Sequence, residues 1–192
     1  QLLAGLLVTA LSLPAVVPVS YAQGNSQTQA NKQSQAQLEA LVAPIALYPD
    51  PLVSQILMAS TYPLEVSEAT NWLRNNSNLK GDALNKALQQ QNWDASVKSL
   101  VSFPPVLEMM GSQLTWTQNL GNAYKLQPAD TMKAVQVLRK RAVQAGTLKS
   151  NQQITISTDP NSNILISPAN TQVVYVPSYN PAVVYGAWPY PE

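Results

Sequence analysis

The stretch YPDPLVSQILMAS (residues 48–60) has the form of a helix start, because an aromatic residue and a proline precede a run of apolar residues. The same order returns in YPLEVSEATNWL (62–73) and in FPPVLEMMGSQL (103–114). Proline fits the first helical turn, where its missing N–H would have no partner, and the aromatic residue can pack onto that turn as a hydrophobic staple. The three stretches therefore predict three helices that each begin at a proline.

The acidic residues near these starts fit the same interpretation. Asp50 is predicted to be an N-cap, while Glu65 and Glu108 lie close enough to a helix start to favour the positive end of the helix dipole. We interpret them first as helix-start residues. Further helices are predicted from Leu38, with a kink or end at Pro44, after Gly81, over 95–102 with Asp94 as N-cap, from Leu107 toward Leu120, and from Pro128 to Gly146.

The pattern changes after Gly146 from helical to alternating. Ile154 and Ile156 alternate with polar residues, Ile164 and Ile166 do so again, and two more β-rich runs follow at residues 173–176 and 183–185. The sequence therefore predicts an α+β protein, with six or seven short helices in the N-terminal two thirds and a small antiparallel or mixed sheet of three to four strands near the C-terminus. The predicted divisions are a signal peptide (1–22), a Gln/Asn-rich flexible linker (23–37), a helical region (38–148), a β region packed on it (149–186) and a Pro/aromatic tail (187–192).

The first 22 residues carry no charge and are mostly apolar. Ser20 and Ala22 supply the small residues of a signal-peptidase site, which predicts cleavage after Ala22. A membrane-spanning helix is the alternative, but Pro14 and Pro18 shorten the apolar run below the length of about 20 residues that a span needs. We expect no membrane span in the mature chain, and we expect the natural protein to extend beyond both ends of this sequence.

Composition excludes several kinds of chemistry. The chain has no Cys and no His, so it cannot form a Ser-His-Asp triad, a Cys-His pair or a zinc site built on thiolate or imidazole. Its net charge is +1 and 11% of its residues are charged, which gives no field for nucleic acid. The basic run Arg139–Arg141 is interpreted as a complement to a helix C-terminus. We predict no cofactor, no metal site and no nucleic-acid partner.

Several stretches together resemble domain of unknown function 3300, a family of exported bacterial proteins. The resemblance runs from Leu38 to Pro191 and includes LVAPIALYPDPLVSQILMASTYPLEVSEATNWLRNN, NWDASVKSLVSFPPVLEMM, LTWTQNLGNAY, QPADTMKAVQVLRKRA and QVVYVPSYNPAVVYG. It implies a periplasmic or secreted protein of a Gram-negative bacterium, but it brings no activity or catalytic residue with it.

Two functions remain open at this point. In the first, the chain is a noncatalytic interaction or scaffold domain of the cell envelope, whose partner is an unknown envelope protein or peptidoglycan. Its exposed strand edge would recruit another chain, and aromatic residues would form the contact surface. The same aromatics could instead close the core of the domain itself. The residues concerned are Tyr175, Tyr179, Tyr185, Trp188 and Tyr190.

The second function is binding or cleavage of glycans, with carboxylates as acids and tryptophans as stacking surfaces. Glu65 and Glu68 are three residues apart and share one helix face, which is a poor arrangement for two acids that must flank a glycosidic bond. The alternative is that the acids are solvated and the tryptophans lie in the core. The predicted glycan site consists of Glu65, Glu108, Trp72 and Trp116, with Glu68 and Trp93 as further candidates.

Overall fold

The computed structural model describes residues 32–170 and 173–187. The predicted signal peptide, most of the predicted linker and the residues from Trp188 onward lie outside this part. Within it the chain forms eight helices, then a two-stranded antiparallel sheet, then a one-turn helix. The elements are α1 Gln35–Val42, α2 Asp50–Ala59, α3 Pro63–Asn75, α4 Gly81–Gln89, α5 Ala95–Leu100, α6 Pro104–Ser112, α7 Leu114–Leu126, α8 Pro128–Gln144, β1 Ile154–Thr158, β2 Ile164–Pro168 and α9 Pro181–Val184.

The helices begin where local chemistry places their starts. Proline occupies the first turn of α2, α3, α6 and α8, as the sequence predicts. Asp94 caps α5, with its carboxylate accepting from the Ser96 N–H at 2.9 Å. The start of α1 differs from the prediction. A capping box between Ser34 and Gln37 begins the helix at Gln35, inside the predicted linker.

Two further expectations about the helices need correction. The run from Leu107 toward Leu120 is two helices, because the backbone of Gln113 (φ −117°, ψ 55°) leaves the helical region between α6 and α7. Asp50 is the first residue of α2 and not its N-cap. Pro49 holds that position, and the Asp50 carboxylate binds elsewhere.

The core is one continuous cluster of apolar side chains from α1, α2, α3, α5, α6, α7, α8 and both strands. Helix α1 packs on α8, α2 on α5, and α3 on α6. Helix α4 contributes no buried residue, although Leu84 and Leu88 pack against the cluster. The fully buried side chains that fill the centre include Leu38, Ile45, Leu52, Ile56, Leu57, Leu100, Leu107, Met110, Leu120, Leu138 and Ile166.

Two glycines allow helices to approach closely. A Cβ on Gly121 of α7 would lie 2.0 Å from the carbonyl oxygen of Ser60, just after α2. A Cβ on Gly111 of α6 would lie 2.2 Å from the hydroxyl oxygen of Thr70 on α3. Backbone cannot retreat as easily as a flexible side chain, so the contact at Gly121 fixes how near α7 comes to the end of α2.

The sheet consists of β1 and β2, with Ile156 opposite Ile166. The predicted third strand does not join it, because side chains occupy the outer edge of β2. The Ile166 N–H donates to Asp50 Oδ2 (3.0 Å), and the Ile164 N–H donates to Gln136 Oε1 (2.8 Å). After one isolated bridge between Asn170 and Val173, residues 174–180 form no regular secondary structure.

The outer edge of β1 is also met by side chains. Asn151 Oδ1 accepts from the Ile154 N–H at 3.0 Å, and Ser150 Oγ accepts from the Ile156 N–H at 2.9 Å. The predicted fourth strand at residues 183–185 is wrong. Asn180 caps a helical turn there by accepting from the Ala182 N–H, so residues 181–184 are α9.

A buried arginine joins the helical region to the sheet. Arg139 on α8 is 1% exposed and donates to the carbonyls of Ala46 (2.8 Å), Tyr48 (3.1 Å) and Ile164 (2.8 Å). The same guanidinium binds Asp50 Oδ1. The interpretation of Arg139 as a complement to the helix C-terminus is therefore wrong.

The other two residues of the basic run have different environments. Arg141 pairs with the buried Glu39 of α1 at 2.8 Å. Lys140 is exposed. The three consecutive cations therefore differ in environment: Arg139 is buried, Lys140 is solvated and Arg141 forms an ion pair between two helices.

Replacing Gly121 by alanine tests the close helix contact. We expect Gly121→Ala to lower the free energy of unfolding by about 1–3 kcal/mol, because overpacking exceeds the gain in helix propensity. Asn122→Ala, at the adjacent exposed position, is the control and should be neutral or slightly stabilising. Urea unfolding followed by circular dichroism measures both. Equal stability of the two variants would contradict the contact.

Replacing Arg139 tests the junction. We expect Arg139→Met to cost about 3–5 kcal/mol of unfolding free energy, since Asp50 and three carbonyls lose their donor. Arg139→Lys should recover part of the loss, because an ammonium cannot reproduce the planar fork. Lys140→Met serves as the control and should change stability by less than about 0.5 kcal/mol. Thermal unfolding of the three variants distinguishes these expectations, and a stable Arg139→Met protein would refute them.

Candidate functional site

Two of the tyrosines predicted to bind a partner pack onto the domain itself, Tyr185 buried and Tyr179 partly buried. The Tyr179 hydroxyl donates to the carbonyl of Ala43 at 3.0 Å and accepts from the Leu47 N–H at 3.3 Å. The Tyr185 hydroxyl donates to the same Ala43 carbonyl at 2.6 Å, and Tyr185 is 2% exposed. Tyr48, Tyr179 and Tyr185 also stack edge to face, with ring centroids 6.1 and 6.2 Å apart. These contacts attach the C-terminal segment to the loop between α1 and α2.

Burial raises the pKa of both hydroxyls well above the usual value for tyrosine. The charge interaction and hydrogen bond with the neighbouring Tyr185 hydroxyl raise the pKa of Tyr179 further. Both groups are therefore neutral hydrogen-bond donors at ordinary pH, and their role in the described structure is packing.

Tyr175 has a different environment. It is 36% exposed and lies between Val174 and Val176, which pack against the core. Val173 is 62% exposed. Residues 173–176 thus alternate outward and inward as a strand does. Trp188 and Tyr190 lie outside the described residues.

The predicted glycan-site residues do not form one site. Glu108 is exposed and forms an ion pair with Arg74 of α3, which lowers the pKa of its carboxyl. Trp116 is held by its indole N–H, which donates to the carbonyl of Leu41 at 2.9 Å. Neither residue lines the cleft that contains Glu65.

Glu65 and Glu68 instead line, together with Trp93, a cleft of about 690 Å³ between the start of α3 and the loop before α5. The Trp93 indole N–H donates to Glu68 Oε2 at 3.1 Å, and the Asp94 N–H donates to Glu65 Oε2 at 2.6 Å. Trp72 packs edge to face on Trp93, with centroids 5.8 Å apart. Tyr62 lines the same cleft and is 38% exposed.

The acids of this region already have structural partners. Bonds from Ser96 lower the pKa of the Asp94 carboxyl, which keeps it ionised as a helix cap. Glu65 and Glu68 hold the loop before α5 through one oxygen each. Among the described residues, no three His, Cys, Asp or Glu side chains converge as metal ligands would.

The sequence contained part of this information. The sequence places Glu65 and Glu68 on one helix face, but their position beside Trp93 depends on how α5 packs against α2 and α3. The amides of Gln91 and Asn92, which also line the cleft, were not identified as candidates. Their position directly before Trp93 is the signal that could have drawn attention to them.

The fold is thus a helical body with a small hairpin and an attached extended segment. The chain belongs to the DUF3300 family, described as protein of unknown function, whose model matches residues 34–192. It is similar to the uncharacterized protein YacH of Escherichia coli (strain K12), with 45% identity over 186 residues. The match covers 81% of this chain and 30% of that protein, so the chain spans less than a third of the length of this relative.

No solved structure matches the chain. In the described residues, every helix is too short or too polar to cross a membrane.

The raised pKa values of Tyr179 and Tyr185 predict a loss of stability in alkali. Each tyrosine has a higher pKa in the folded than in the unfolded chain, so its contribution is complete below about pH 10 and declines as pH rises further. We expect Tyr179→Phe to cost about 1 kcal/mol at pH 7 but to reduce the decline between about pH 10 and 11.5. Urea unfolding across this range measures both effects.

The matched control is Tyr175→Phe, whose hydroxyl has no hydrogen bond within residues 32–170 and 173–187. It should reproduce the stability of the parent protein at pH 7. If Tyr179→Phe and the parent protein lost stability equally above pH 10, titration of Tyr179 would not be the cause.

Proposed function

We propose that this chain is a noncatalytic interaction domain of the cell envelope, which recruits an extended segment of another polypeptide by strand addition along residues 173–176. The uncharged, apolar first 22 residues support export to the periplasm or beyond. Packing of Tyr179 and Tyr185 supports a stable platform, from which the preceding segment is presented.

One observation carries the proposal. Counting every bond to a described residue, no backbone N–H or C=O of residues 174–178 is hydrogen-bonded, and residues 173–176 alternate in burial. An extended edge with unpaired backbone groups is the template to which an added strand binds. Pro177 limits the pairing to a short stretch.

The chemistry of the segment indicates the kind of strand it would accept. Residues 173–187, VVYVPSYNPAVVYGA, contain no charged residue. Val173 and Tyr175 project outward, and β-branched and aromatic side chains form favourable cross-strand pairs with their own kind. The proposed partner segment is therefore neutral, extended and rich in such residues.

Site-specific crosslinking in a Gram-negative host tests this function. We expect a photoreactive phenylalanine analogue at Tyr175 to crosslink a discrete envelope polypeptide, whereas the same analogue at Val183 should not. Val183 is 67% exposed and lies in α9, so it controls for random collision. Fractionation of the same cells tests export, and a chain that stayed in the cytoplasm would contradict the envelope assignment.

Backbone pairing is then tested with the crosslinked partner. Val174→Pro and Tyr175→Pro each remove one N–H, and these two N–H groups belong to opposite edges of an extended chain. We expect one of the two to weaken binding about fivefold, while Tyr175→Phe has little effect. Unchanged affinity in both proline variants would rule out strand addition.

A further inference from the structure

We propose that the cleft between the start of α3 and the loop before α5 binds a neutral saccharide, with Trp93 and Tyr62 as the stacking surfaces and Glu65, Glu68, Gln91 and Asn92 as hydrogen-bonding groups. This site uses no residue of the 173–176 segment. Its ligand chemistry is therefore independent of the proposed strand addition.

The lining of the cleft combines the two kinds of group that a sugar ring needs. Aromatic rings offer apolar faces to the C–H groups of a pyranose, amides donate to and accept from its hydroxyls, and carboxylates accept from them. Tyr62 and Trp93 supply the first kind and Gln91 and Asn92 the second. A volume of about 690 Å³ lies within the range of small-ligand sites.

The stacking surface is held in place before any ligand arrives. The Trp93 ring is fixed on one side by Trp72, at 5.8 Å between centroids, and at its edge by the bond from its indole N–H to Glu68. The backbone next to it is fixed by the 2.6 Å bond from the Asp94 N–H to Glu65. Because these restraints are already present, little of the side-chain freedom of Trp93 is lost when a ligand binds.

The charge of the cleft selects among saccharides. Its described lining contains two carboxylates and no Lys or Arg. The ammonium of Lys125 donates to the carbonyl of Thr61, at the rim of the cleft, at 2.9 Å. Even with this one cation counted, the two carboxylates give the cleft an excess of negative charge. Phosphorylated or carboxylated sugars would be repelled, so the ligand is a neutral saccharide.

The same geometry favours binding over cleavage. Glu65 and Glu68 lie one turn apart on one helix, so both approach a ligand from the same side. Two acids that hydrolyse a glycosidic bond flank it from opposite sides. Glu65 and Glu68 are therefore ligand-orienting acceptors.

Titration of the full chain with neutral oligosaccharides tests the site. The probes are N-acetylglucosamine tetramer and maltotetraose, with galacturonic acid tetramer as the anionic comparison, and binding is measured by ligand-observed NMR and calorimetry. We expect a neutral tetramer to bind and the anionic one not to bind. A preference for the N-acetylated tetramer points to a cell-wall glycan source, and a preference for maltotetraose points to a storage or surface glucan.

Two variants locate the binding in the cleft. Asn92→Ala removes an exposed amide and should weaken binding about fivefold, whereas Asn119→Ala, an exposed amide on α7, should leave it unchanged. Trp93→Leu should weaken binding about tenfold, with circular dichroism checking that the fold persists. Failure of both neutral tetramers to bind would overturn the proposal, as would equal binding by the Asn92→Ala and Asn119→Ala proteins.

Discussion

The buried guanidinium of Arg139 is the contact on which the two halves of the structure depend. It donates to two carbonyls of the α1–α2 loop, to the carboxylate of the first residue of α2 and to the carbonyl of the first residue of β2. A charge at 1% exposure is tolerated because its donors are matched by oxygen acceptors. Once Arg139 and Asp50 are placed, Asp50 in turn holds the Ile166 N–H, and the position of the hairpin follows.

The features that the sequence predicted correctly are those decided by neighbouring residues. Proline at a helix start and Asp94 as a cap act within one turn, so the local order of residues is sufficient. The prediction of a third strand was not confirmed, because distant residues decide whether that strand can pair. Residues 173–176 have strand character, but the edge they would join is taken by Gln136 and Asp50, which lie 28 and 116 residues from their partners in the chain. Sequence periodicity contains no information about such distant competition.

In the candidate sites, too, the sequence predicted what neighbouring residues decide and not what distant residues decide. The shared face of Glu65 and Glu68 is a property of one helix and was predicted. Their convergence with Trp93 requires three helices to pack in one arrangement, which no local pattern encodes. Tyr179 and Tyr185 show why composition alone leaves the role of a tyrosine open. Tyrosine is equally suited to a binding surface and to a core that offers backbone carbonyls as acceptors. In this fold the carbonyl of Ala43 accepts from both hydroxyls, so both rings pack against the domain.

The side chains that occupy both hairpin edges have a consequence for how molecules of this protein behave beside one another. A chain with 11% charged residues has little electrostatic repulsion to keep copies apart at high concentration. Ser150 and Asn151 on one edge, and Asp50 and Gln136 on the other, consume backbone donors that could otherwise begin cross-β stacking. The hairpin edges of this weakly charged protein are thus covered by specific polar side chains, where other proteins place surface charge.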